Sequence, residues 1–186
     1  MERAQTRKYE EYAYVLDFVT RGKSTTVKGR DGIIVTALGE ERLTILELLA
    51  LPNSTFEIGE RVSIGKEGRT KILSVLGRLE YNQISSSAQS ELTSVVEKII
   101  TQNESRFIDY LNNAQPLTPR IHALELIPGI GKTYMKTMLL EREKKQFTDF
   151  KDLQERVGLK EPAKQIAKRI IEEITGETRM NLFVRK

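Results

Sequence analysis

The apolar pattern of this chain changes period once, at Ser85-Ser86-Ser87, and that change decides what the chain can fold into. Before it, β-branched, aromatic and aliphatic residues come in short runs separated by turn residues. After it, apolar residues recur at helical spacing, as in Leu92, Val95, Val96, Ile99 and Ile100, and again in Phe107, Ile108 and Leu111. Short runs with turn chemistry between them read as strands, and a recurrence every three to four residues reads as amphipathic helix. The expected fold class is therefore α+β, with the β part first.

Five strands are expected in the first part, within 9–19, 32–38, 42–51, 56–64 and 70–81. Periodicity alone also allows a helix at 42–51. Gly77 lies inside the last run, where a bend or bulge is cheap. Five short strands in this length suit a small OB-like β-barrel, with an SH3-like barrel as the near alternative. In the second part, Pro116 and Pro119 close the second linking helix. Four short helical segments follow at 120–127, 132–144, 149–157 and 162–175, and the tail 180–184 adds a strand or lies against a neighbouring domain. The domains expected are a barrel over 1–84, linking helices over 85–119 and an all-α domain over 120–186.

The most specific string is Leu124-Glu125-Leu126-Ile127-Pro128-Gly129-Ile130-Gly131-Lys132-Thr133. A helix is expected to end at Pro128 and a second to begin at Lys132 or Thr133. Gly129 and Gly131 are free to take positive φ and have no side chain to block a ligand. Their N–H groups then face outward at a helix N-terminus, where the helix dipole favours an anion. Ile130 is free to plug the two helices together, and Lys132 and Lys136 stand one turn apart beside the same anion. Gly131-Lys132-Thr133 also ends like a P-loop, but Leu126 stands where that motif needs its first Gly, and no strand precedes it.

The string resembles the helix-hairpin-helix motif of sequence-nonspecific nucleic-acid-binding proteins, and it departs from that motif at Tyr134-Met135, where small residues are usual. A degenerate second copy follows. Thr148 or Asp149 is expected to cap a helix, and Gly158-Leu159-Lys160-Glu161-Pro162 turns into the next. Gly158, Lys160, Lys164 and Lys168 are its candidate contacts. The all-α part is thus expected to be a tandem helix-hairpin-helix domain.

Charge agrees with this placement. The chain has 30 Lys and Arg against 26 Asp and Glu, and 15 of those cations against 10 of the anions lie in 120–186. A basic domain is the electrostatic footprint of a phosphate-polymer binder. In the first part, residues 20–30 carry Arg21, Lys23, Lys28 and Arg30 with no acid among them. In OB-type barrels this inter-strand loop borders the nucleic-acid face. Tyr12, Tyr14 and Phe18 alternate on one strand face, an arrangement that serves either barrel core or base stacking.

The chain has no Cys and one His, which removes disulfides, thiolate metal sites and Cys nucleophiles and leaves His122 a structural hydrogen-bonding role. The acidic pairs Glu10-Glu11, Glu40-Glu41 and Glu172-Glu173 diverge along their elements and form no metal cluster. No apolar run is long enough to span a bilayer, and the first residues lack a signal-peptide core.

The order barrel, two linking helices and Arg120-Ile121-His122-Ala123-Leu124-Glu125-Leu126-Ile127-Pro128-Gly129-Ile130-Gly131-Lys132, with Phe56-Glu57-Ile58-Gly59-Glu60-Arg61-Val62, resembles an archaeal family, domain-of-unknown-function family 655. The resemblance covers nearly the whole chain. It implies an archaeal cytoplasmic protein that binds RNA or DNA through barrel and hairpin, and the genes found beside those of the family favour RNA. It brings no catalytic residues and no cofactor. The function expected is non-enzymatic, weakly sequence-selective binding of an RNA or DNA backbone, without membrane association. The alternative is a protein-interaction adaptor with ribosome- or transcription-associated partners, and a third reading, a nuclease, lacks the acidic cluster it needs.

Overall fold

The structure, a computed structural model, describes residues 9–186. Among the described residues, contacts divide the chain into two compact units, one formed by 9–95 together with 174–186, the other by 96–173. The linkers read along the sequence divide it at 84 and 119.

The first unit holds five strands: β1 (Tyr12–Lys23), β2 (Asp31–Gly39), β3 (Ile45–Ala50), β4 (Arg61–Ser63) and β5 (Ile72–Leu79). They form one antiparallel sheet in the order β4-β1-β2-β3-β5. Ala13 and Val15 of β1, Val35 and Ala37 of β2 and Leu46 and Leu48 of β3 share a core with Val62 of β4 and Ile72 of β5. The two edge strands meet the same core only if the sheet curls, so the sheet is a half-barrel. All six residues of β3 are buried, and so are Tyr14 of β1 and Leu38 of β2. Phe183 and Val184 of the tail are buried, and the Arg185 amide donates to the Arg42 carbonyl at 2.9 Å. The tail joins the sheet-bearing unit without forming a strand.

One difference from the sequence pattern has a local cause. A register shift between Val15 and Asp17 breaks the alternation of β1, so Phe18 pairs with the inward Val35 while Tyr14 stays on the other face. The rings therefore do not share a face. Phe18 packs on Phe56 at 5.9 Å, Tyr14 is fully buried, and Tyr12 lies beneath the Arg61 guanidinium. In β5 the bulge falls where it is expected: Gly77 stands opposite Glu47, and the register slips just beyond that pair, leaving Leu76 as the extra residue.

The helices are α1 (Ser86–Gln102), α2 (Glu104–Asn113), α3 (Lys132–Lys144), α4 (Phe150–Val157) and α5 (Pro162–Thr175). The apolar faces expected of α1 and α2 are buried. Residues 120–127 do not form the expected α-helix. Pro116 pairs with His122 in an isolated bridge, and only one 3-10 turn, Ala123–Leu126, follows before Pro128. The bridge to Pro116 holds His122 extended and Pro128 keeps Ile127 out of the helical region, so only one short turn remains between them. No helix among the described residues is long and apolar enough to cross a membrane.

Candidate functional site

The turn between the 3-10 helix and α3 is built by local chemistry. The Leu124 amide donates to Nδ1 of His122 at 3.0 Å, and the Glu125 carboxylate accepts from the His122 amide at 3.2 Å, a reciprocal cap. Burial, with Arg142 nearby, pushes the His122 imidazole below its usual range, so it acts as an acceptor here rather than as a cation. Gly129 has φ +81°, and a Cβ there would meet the Gln165 side chain at 2.8 Å. Ile130 is 3% exposed, and its amide donates to the Ile127 carbonyl at 3.0 Å, closing the turn.

Past Ile130 the backbone opens. Gly131 is the N-cap of α3 with extended dihedrals, not positive φ, and no side chain caps the helix. A Cβ at Gly131 would meet nothing within 4 Å. Among the described residues the amides of Gly131, Lys132 and Thr133 reach no acceptor, and the first bond of α3 runs from Met135 to the Gly131 carbonyl at 2.9 Å. Lys132, Thr133 and Lys136 are exposed, and no described side chain pairs with either lysine. The structure thus gathers Gly129, Gly131, Lys132, Thr133 and Lys136 around one helix N-terminus, while Ile130 is a plug with its amide already engaged. Unmet donors and the helix dipole together give this end of α3 a partial positive charge.

The second turn differs. Asp149 caps α4 by accepting from the Asp152 amide at 2.7 Å, and Gly158, at φ +82°, ends it by donating its amide hydrogen to the Gln154 carbonyl at 2.8 Å. Leu159 is buried and Lys160 exposed. Lys164, however, forms an ion pair with Glu161 at 2.9 Å, and Pro162 opens α5 with no N–H to offer. This turn supplies its own anion.

In the first unit, Arg21 and Lys23 lie on the extended end of β1 rather than in a loop, and Lys28 and Arg30 flank the exposed tip. The tip is held by a residue the sequence pattern did not single out. Glu47, 2% exposed, accepts from the Thr25 amide at 3.0 Å and from the Thr25 and Thr26 hydroxyls at 2.8 and 2.7 Å, and Ser24 donates to it as well. Burial works to raise its pKa, but these donors outweigh burial and hold it down to about 2. The one hint in the sequence is a carboxylate inside the apolar run of β3, where it must find donors.

The acidic pairs are engaged in structure. Glu10 accepts from the Glu41 amide at 2.9 Å and from that of Arg42, Glu40 pairs with Arg61 at 2.7 Å, and Glu173 pairs with Arg169 at 2.9 Å. Among the described residues no group of His, Cys, Asp and Glu is placed to hold a metal ion.

Residues 9–185 match the family described as "Protein of unknown function (DUF655)". The chain belongs to that family. It is 40% identical over 178 residues to "Uncharacterized protein MJ0038" of Methanocaldococcus jannaschii, covering 96% of this chain and 80% of that protein. The crystal structure of Af1531 from Archaeoglobus fulgidus, of the same family, superimposes with a TM-score of 0.82 at 36% identity, covering 95% of this chain and all of that one. That likeness shows that the two chains share their fold.

Proposed function

We propose that this family member is a non-enzymatic nucleic-acid-binding protein, weakly sequence-selective and favouring RNA. One observation carries the reading: the amides of Gly131, Lys132 and Thr133 stand open at the N-terminus of α3, with Lys132 and Lys136 beside them. A phosphate diester satisfies those donors and the lysines together. In this reading the curled sheet is an OB-like barrel, and the two turns are a tandem helix-hairpin-helix unit whose leading helix is cut to a single 3-10 turn. Lys28 and Arg30 add a second basic surface, on a tip that Glu47 keeps in shape, with Arg21 and Lys23 on the adjoining strand. Contacts of this kind hold a backbone without reading its bases.

The test is a binding panel of single- and double-stranded RNA and DNA at two salt concentrations. The reading expects affinity that falls steeply with salt, because neutralised phosphates release counterions. Absence of binding across the panel refutes it and leaves the adaptor reading, which expects no affinity for bare polymer.

A further inference from the structure

The first turn is gripped from behind by α5. Arg169 and Glu173 stand one turn apart on that helix, nearly out of solvent, and their side chains meet at 2.9 Å. The same guanidinium donates through its Nη1 to the Leu126 carbonyl at 3.3 Å, two residues before Pro128. One turn earlier on α5, the Gln165 side chain rests against Gly129, closely enough that a Cβ there would collide with it. Two contacts from one helix therefore bracket the chain just ahead of the open amides. A buried ion pair is weak evidence for stability, since well-packed apolar residues often replace one without loss. Its second bond, to the Leu126 carbonyl, gives it another use. Guanidinium presents several donors in a fixed fork, so one side chain holds the Glu173 carboxylate and a main-chain oxygen at once, whereas an ammonium is a single point.

We propose that Arg169 is a positioning residue of the phosphate site: from inside its ion pair with Glu173 it fixes the Leu126 carbonyl, and so the direction in which the amides of Gly131, Lys132 and Thr133 face. The proposal rests on the nucleic-acid reading of that turn.

The experiment compares the full chain with Arg169→Met/Glu173→Leu, which removes the buried pair and leaves only the partly exposed Glu172 carboxylate without its arginine, and with Arg169→Lys, which keeps the charge but not the fork. Three measurements are made: the unfolding midpoint, the Kd for a labelled single-stranded RNA oligonucleotide, and hydrogen exchange of the Ile130 amide. The expected result is a near-native midpoint in the double variant, about tenfold weaker binding in both variants, and faster Ile130 exchange with that of Met138 unchanged. Native affinity together with native Ile130 exchange in the double variant overturns the proposal, as does full rescue by Arg169→Lys. If the native chain binds no RNA, the functional reading fails by itself, while the Ile130 exchange still reports whether Arg169 orders the turn.

Discussion

The two turns of the helical unit use nearly the same residues to opposite ends. Each has a Gly at positive φ, a buried apolar plug and a Lys at the start of a helix. In the first, Gly131 caps α3 with no side chain, and three amides are left facing out. In the second, Pro162 has no amide to give, and Glu161 ties Lys164 at 2.9 Å. What separates an open helix N-terminus from a closed one is therefore whether the protein spends its own carboxylate and proline there. Glycine and lysine alone do not decide it.

This contrast is open to attack by substitution. The largest effect is expected of Gly131→Asp combined with Lys132→Glu, which sets two negative charges at the open amides. RNA affinity should fall about a hundredfold, whereas Lys160→Glu at the second turn should change it less than about threefold, both read by fluorescence anisotropy. Comparable losses from the two would erase the distinction. Next in size is stability. Gly129→Ala has both positive φ and the collision with Gln165 against it and should cost about 2 kcal/mol, while Gly158→Ala faces only the backbone penalty and should cost about 1 kcal/mol. Urea denaturation measures both.

A smaller effect should run the other way. Glu161→Gln releases Lys164 and removes a carboxylate from the α5 terminus, and RNA affinity should rise about twofold. The weakest expected signal is a pH dependence confined to the first turn. Because the imidazole of His122 is held below its ordinary pKa, the unfolded chain takes up a proton first as pH falls. The contribution of that cap is thus complete above about pH 6.5 and declines below it. The protection factor of the Ile130 amide, its exchange rate relative to that of an unstructured chain at the same pH, should fall on mild acidification while that of Gly158 does not. An equal fall at both amides would assign the effect to global unfolding.

The features read correctly from sequence are those fixed by neighbours along the chain. Pro162 opens α5, Asp149 caps α4, Gly77 marks a bulge, and Pro128-Gly129 turns the chain ahead of α3. Each is decided by the dihedral freedom or hydrogen-bonding capacity of a few adjacent residues. What failed needed information from elsewhere. The register shift in β1 moves Phe18 to the inner face, which strict alternation has no means to anticipate. The apolar spacing of Ile121, Leu124 and Ile127 fits a helix, but the bridge from Pro116 holds His122 extended and leaves one 3-10 turn. Glu47 reaches donors more than twenty residues away. The Arg169 and Glu173 pair looks in sequence like any solvated pair one turn apart, and only the packing of α5 buries it.

The central claim is that the open amides of α3 receive a polynucleotide backbone, and the most direct measurement is an amide NMR titration with a short single-stranded RNA. The account predicts that the strongest shifts within the helical unit fall on Gly131, Lys132 and Thr133, that Lys160 and Ala163 shift less, and that added salt reverses the change. Shifts that leave Gly131, Lys132 and Thr133 unmoved while RNA binds elsewhere would contradict it.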